Sequence, residues 1–220
     1  MKETLKKKVL IVGASSKLGL HLSKSLIREK IEVGVHYNLN KNNLLELKKK
    51  SKNKFELFKL DLLSLSKIKL MFKKFYKEFN GITDLVYCPT YPIKKRKLFI
   101  DFTDDEIVNM AYINYLAAMI CFRESLKLMK LDNKKKSIIY ISSYATKTGG
   151  KNISHYASSK SAIEILFKSI KKENKDSNIS FKVLKPSNIF YDKNEKINKF
   201  SSDADLIVES IKNIIFKNIQ

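Results

Sequence analysis

Six short β-rich runs alternate with longer helical patterns along this chain, and that alternation most narrows the folds open to it. The strand candidates are Lys8 to Val12, Glu32 to Tyr37, Lys54 to Leu60, Asp84 to Cys88, Ser137 to Ile141 and Ile179 to Leu184. Helical stretches lie near Leu18 to Glu29, Asn43 to Lys50, Ser66 to Phe79, Asp104 to Lys130 and Tyr156 to Lys172, with a final amphipathic helix from about Asp203 to Lys217. Strand–helix–strand units close as right-handed crossovers. The pattern therefore predicts an α/β fold, a doubly wound parallel sheet with helices on both faces. At 220 residues, without an internal repeat or a linker, the expectation is a single domain spanning 1–220. Ligands in such sheets bind beyond the carboxyl ends of the strands, near the switch point.

Composition removes several function classes. No apolar run approaches the ~20 residues of a membrane span, and the basic N-terminus leads into a strand-like run rather than a signal sequence. The two cysteines, Cys88 and Cys121, fit neither a disulfide framework nor a metal cluster; both lie in apolar segments and read as buried thiols. A reducing, cytoplasmic setting is expected. The formal net charge of +22 would ordinarily raise nucleic acid or membrane as a partner. Lysines, however, are spread over nearly every segment. Asn, Ile, Lys, Phe and Tyr are abundant while Gly (6), Pro (3) and Trp (0) are scarce, which points to A+T-rich coding bias. Neither nucleic acid nor membrane is expected as a partner. The densest basic cluster, Lys94-Lys95-Arg96-Lys97, reads as a solvated loop or as a rim steering an acidic partner.

The chemistry gathers around Tyr156 and Lys160. Positions i and i+4 share one helix face, so the ammonium can sit beneath the phenol. A phenol titrates near pH ~10 and a fixed positive charge brings it toward the working range of an acid–base catalyst. Ser143, just past a strand end, could polarise a carbonyl beside that Tyr. Gly13 follows the first strand, and Val12-Gly13-Ala14-Ser15-Ser16-Lys17-Leu18-Gly19 opens the first helix, where exposed amides can receive a pyrophosphate. No His/Cys/carboxylate cluster has zinc-like spacing, so no metal is expected. The absence of a Gly-x-Ser-x-Gly elbow disfavours a Ser-His-Asp hydrolase. His155 reads as pocket-lining or as a solvent-facing helix start. Tyr91, Ile93, Tyr144 and Phe190 read equally as pocket or as core.

Together these motifs resemble the short-chain dehydrogenase/reductase family over nearly the whole chain. The family's Gly-rich turn corresponds to Gly13 through Gly19, its Asp after the third strand to Asp61, and its catalytic Asn-Ser-Tyr-Lys set to Asn114, Ser143, Tyr156 and Lys160. The resemblance implies a Rossmann fold and a nicotinamide dinucleotide held by Gly13, Ser15, Ser16, Lys17, Leu18, Gly19, Tyr37, Asn38, Asp61, Leu62, Tyr156, Lys160, Pro186 and Ile189. It implies that Tyr156 protonates an alkoxide, Ser143 holds the carbonyl oxygen, Lys160 tunes the Tyr and binds a ribose, and Asn114 anchors a water relay. The departures are Lys17 for the middle Gly, Tyr87-Cys88-Pro89-Thr90 for the Asn-Asn-Ala-Gly run, Pro186-Ser187 for Pro-Gly, and no C-terminal strand with its Asp-Gly-Gly ending. The substrate-covering segment, Asn188 to Phe200, is short and polar.

The second strand ends His36-Tyr37-Asn38 with no carboxylate to repel a 2′-phosphate, and Lys17 and Lys41 supply positive charge. NADP(H) is therefore expected over NAD(H). The expected function is NADPH-dependent reduction of a ketone, on a small molecule or on an acyl carrier protein as in 3-oxoacyl-carrier-protein reductases. The rival reading is an idle dinucleotide-binding regulatory protein. The family pattern implies a homodimer built on the two long helices carrying Asn114 and Tyr156.

Overall fold

Val, Ile and Leu fill the strand cores so continuously that the sheet has to be covered on both faces. The computed structural model describes residues 6–29, 31–192, 194 and 201–217. In chain order the elements are β1 (Lys8–Val12), α1 (Lys17–Leu26), β2 (Glu32–Tyr37), α2 (Asn42–Lys50), β3 (Phe55–Lys59), α3 (Leu65–Phe79) and β4 (Asp84–Tyr87). There follow α4 (Asp104–Ala111), α5 (Ala117–Met129), β5 (Lys136–Ile141), α6 (Ala145–Thr148), α7 (Ser154–Glu173), β6 (Ile179–Leu184), β7 (Ile189–Phe190), β8 (Ser202–Asp203) and α8 (Ala204–Lys217). The main sheet is parallel throughout, in the order β3-β2-β1-β4-β5-β6, and β7 and β8 form a separate two-stranded ribbon. The direction of winding reverses between β1 and β4, which opens a crevice at their carboxyl ends.

Each face carries its own apolar layer. On one side Phe72 and Phe75 of α3, Phe122 of α5 and Phe167 of α7 pack on Tyr87 and Tyr140. On the other, Leu22 and Leu26 of α1, Leu44 of α2 and Ile211 of α8 cover Val9, Ile11 and Val35. The doubly wound fold expected from the alternation is thus present, and among the described residues β3 and β6 are the sheet's edge strands. The substrate-covering segment falls largely at 193 and 195–200, outside the described residues.

The expected single helix from Asp104 to Lys130 is broken. Between α4 and α5 the chain makes a π-turn over Tyr112–Leu116 that inserts one extra residue. The Tyr87 hydroxyl donates to the Ile113 carbonyl there at 2.6 Å. α6, the 3₁₀ turn Phe99–Asp101 and the β7–β8 ribbon are too short to leave a periodic signal in the sequence.

Candidate active site

β1 ends in a turn that only glycine fits. Gly13 has φ +80°, and a Cβ there would lie 2.9 Å from the Pro89 ring; one on Gly19 would lie 2.4 Å from the Gly13 carbonyl oxygen. Ser16 caps α1, its hydroxyl accepting from the Gly19 amide at 3.1 Å, and the first turn of α1 carries no acidic residue. The turn is pinned from β2 by His36. The Gly13 amide donates to His36 Nδ1 at 3.0 Å, so Nε2 carries the proton and donates to the Leu60 carbonyl at 3.1 Å. Burial pushes the His36 pKa down to about 4, which keeps the ring neutral and able to accept.

A cleft of about 440 Å³ opens at the switch point, lined by Gly13, Ser15, Ser16, Asn38, Asp61 and Leu62 on one side and Cys88 through Pro92 on the other. Six expected cofactor residues therefore surround one space. Lys17 does not line it: the ammonium lies 5.5 Å from the centre of the Tyr191 ring. Leu18 and Tyr37 are buried in the core beneath it, Gly19 packs on the turn, Pro186 is buried, and Ile189 lies in β7. Cys88, read as a buried thiol, is half-buried and faces the cleft; burial still pushes its thiol up to about 12. Cys121 is fully buried, as expected.

The four residues of the expected catalytic set converge from three elements. Ser143 follows β5, its hydroxyl accepting from the Ala145 amide at 3.1 Å; burial raises the Tyr156 pKa, and the neighbouring Ser143 hydroxyl pulls it back. Lys160 is 2 % exposed, with its ammonium 5.9 Å from the Tyr156 ring centre and donating to the carbonyls of Ile141 (3.0 Å) and Pro89 (3.3 Å). Burial pushes Lys160 down to about 7, with Cys88 pulling the other way. Asn114 sits in the π-turn, fully buried; its Oδ1 accepts from the Tyr91 amide at 3.0 Å and its Nδ2 donates to Ser159 Oγ at 3.0 Å. Its side chain thus ties the β4 exit loop to α7.

Elsewhere His155 is not a solvent-facing helix start: it is buried with its ring 3.9 Å from that of Phe102. Phe190 is core, whereas Ile93 and Tyr144 are exposed and Tyr91 lines the cleft. Lys94, Lys95 and Arg96 are exposed, while Lys97 pairs with Glu106 at 2.8 Å. Residue reading missed His36, Tyr87 and Glu164. Only Glu164 left a trace, as the next i+4 position after Lys160.

A nucleotide-sized crevice at the switch point, a glycine turn and a Ser-Tyr-Lys-Asn cluster define an oxidoreductase of the dinucleotide-binding α/β class. The short chain dehydrogenase family model matches residues 7–201, and the chain belongs to that family of NAD(P)-dependent oxidoreductases. Solved structures agree on the fold. A candidate 3-oxoacyl-reductase from Bacillus thuringiensis superposes with TM-score 0.85 at 18% identity, covering 96% of this chain and 91% of that one. A Burkholderia cenocepacia short chain dehydrogenase in complex with NADP gives 0.83 at 15% identity over 97% and 92%. An NADH-dependent reductase complexed with NAD gives 0.75 at 18% over 84% and 79%. No curated protein matches the sequence. The residues present fit a nicotinamide dinucleotide, since the cleft presents a glycine turn, serine hydroxyls and a helix start free of carboxylates. No helix is long and apolar enough to cross a membrane among the described residues, and those residues hold no group of His, Cys, Asp or Glu suited to a metal.

Proposed function

We propose that this protein is an NADPH-dependent carbonyl reductase whose acid–base centre is Ser143, Tyr156, Lys160 and Asn114. The observation that carries the reading is the convergence of Ser143 and Tyr156 over the buried Lys160, whose ammonium lies 5.9 Å from the Tyr156 ring centre. Gly13, Ser15 and Ser16 would hold the pyrophosphate, and Asp61 and Leu62 the adenine side of the cleft. A bound nicotinamide supplies the hydride.

The remaining steps fall to the chain itself. Ser143 and Tyr156 together offer two hydroxyls to one carbonyl oxygen, so negative charge developing there meets donors already oriented. Tyr156 passes its proton to the alkoxide. The phenolate left behind is stabilised by the Lys160 ammonium, whose own burial costs less once that partner charge exists. Asn114 holds the Tyr91 loop and Ser159, keeping the cleft wall and α7 in register. In the reverse direction the same groups would oxidise an alcohol.

Cofactor choice rests on charge. Asn38 rather than a carboxylate stands at the cleft beside β2, so nothing there repels a 2′-phosphate. Fluorescence titration should give a lower Kd for NADPH than for NADH; tighter NADH binding would sink the preference. For the substrate, ketones come first, and the likeness to a candidate 3-oxoacyl-reductase supports testing 3-oxoacyl thioesters, free and carrier-bound, ahead of other carbonyls. A homodimer through α5 and α7 is the assembly we favour, measured by light scattering.

Tyr156→Phe tests the centre. Turnover of any active carbonyl should fall at least ~100-fold, the range general acid–base groups contribute, while NADPH binding stays within about twofold. Near-normal turnover would refute the assignment.

A further inference from the structure

Glu164 stands one helical turn beyond Lys160, so Tyr156, Lys160 and Glu164 follow one another at i, i+4 and i+8 along a face of α7. Its side chain is only 13% exposed, so its charge has to be balanced by partners rather than by water. Those partners come from three different segments. Ser142 Oγ donates to Oε1 at 2.6 Å, Thr146 Oγ1 lies 2.8 Å from the same oxygen, and Lys185 pairs with Oε2. Charge-assisted bonds of this kind are the stronger ones a hydroxyl can make.

The placement of these donors is what matters. Ser142 immediately precedes Ser143, and Thr146 follows it within α6. Lys185 immediately precedes Pro186, at the exit of β6. The backbone of the same loop is fastened elsewhere: the Ser142 amide donates to the Leu184 carbonyl and the Tyr144 amide to that of Pro186, both at 2.8 Å. Those bonds hold the Ser143 loop to the β6 side, but they say nothing about its position relative to α7. Lys160 donates to the Ile141 carbonyl at the very end of β5, but among the described residues the side-chain hydrogen bonds from Ser142 to Thr148 onto α7 end on Glu164.

We propose that Glu164 is a positioning residue for catalysis, clamping both flanks of the Ser143 loop to the helix that carries Tyr156 and Lys160. It sets the separation of the Ser143 and Tyr156 hydroxyls, and through Lys185 it draws the β6 exit to the same helix. The inference rests on the proposed roles of Ser143 and Tyr156. Without the carboxylate the loop stays attached to β6 and the fold persists, but the two hydroxyls lose their common reference. Displacement of a reacting group by about an ångström costs on the order of a hundredfold in rate.

The test compares the wild-type protein with Glu164→Ala, Glu164→Gln, Ser143→Ala and the Glu164→Ala/Ser143→Ala double variant. Oxidation of NADPH is followed with a panel of 3-oxoacyl thioesters, ketones and quinones, and amide hydrogen exchange is followed without substrate. We expect Glu164→Ala to lower kcat about tenfold to a hundredfold, leaving KM and NADPH affinity within about twofold. Glu164→Gln, which keeps an acceptor for Ser142 and Thr146, should recover most of the loss. In the Ser143→Ala background the Glu164→Ala change should cost nothing further, because its effect runs through Ser143. The Ala145 and Thr146 amides should exchange faster in Glu164→Ala while those of β5 do not.

Wild-type turnover by Glu164→Ala overturns the proposal, as does an equal loss in the Ser143→Ala background or unchanged exchange at Ala145 and Thr146. Full activity of Ser143→Ala is a separate result: it removes the reading on which the proposal rests, and the proposal with it. Should no carbonyl of the panel be turned over, the exchange measurement decides alone.

Discussion

His36 shows how much a single neutral ring can carry. It accepts from the Gly13 amide and donates to the Leu60 carbonyl, joining the ends of β1, β2 and β3 at the mouth of the cleft. Protonation would turn the acceptor into a donor facing another donor. With a folded pKa of about 4 against 6.5 unfolded, the unfolded chain binds more protons between those values. Stability therefore falls as pH drops from about 6.5 to 4, by roughly 3 kcal/mol in all. His36→Gln should flatten that part of the stability curve in urea titrations across pH 4–7; an unchanged slope would discount the ring's role. Spacing alone picked out residues whose partners are local, whereas Asn114, which bonds across to Tyr91 and Ser159, was named only through the family resemblance. Tyr156 and Lys160 are one turn apart, and Gly13 and Gly19 share one turn. His36, Tyr87 and Glu164 act on segments that only the crossovers bring near, so nothing around His36 or Tyr87 distinguishes them from core residues, and Glu164 shows only its i+4 spacing from Lys160.

At the scale of elements, strands and most helices were legible because burial on both faces forces long apolar runs and a 3.6-residue stripe. β1, β2 and β6 begin and end where the residues themselves predict. The break between α4 and α5 was not legible. An added residue rotates the apolar stripe by about 100°, and a helix packed on several sides tolerates that without any change in composition. A tertiary bond stands at the break, Tyr87 to the Ile113 carbonyl. Tyr87→Phe keeps the ring contacts with Phe122 and Tyr140 while removing the donor. It should cost about 1–3 kcal/mol in denaturant unfolding, the penalty for a buried carbonyl left without a partner. A cost within ±0.5 kcal/mol would mean the turn stands without it.

Across the whole molecule, the cleft and a buried ion pair occupy opposite ends of the sheet. The cleft lies at the carboxyl ends of the strands. At the amino ends, Asp84 is fully buried beside Lys7 at 3.3 Å and takes hydrogen bonds from Thr83 (2.7 Å) and Ser137. Asp84→Ala leaves the Lys7 ammonium, 1% exposed, without its counter-charge, and should destabilise the fold by about 3–5 kcal/mol. NADPH affinity of the protein that remains folded, measured by fluorescence, should stay the same. The strand order β3-β2-β1-β4-β5-β6 is a property of this scale too; alternation alone implies a wound parallel sheet but not where its direction reverses. The Tyr87–Ile113 bond has a further consequence for anyone grafting family features onto this chain. Restoring the Asn-Asn-Ala-Gly run at 87–90 would withdraw a phenol from the aromatic layer and its proton from the π-turn at once, while an Asn side chain is too short to replace both. A consensus substitution, ordinarily a safe route to added stability, becomes here an epistatic trap: the family run is expected to be tolerated only if the π-turn it would abut is rebuilt with it.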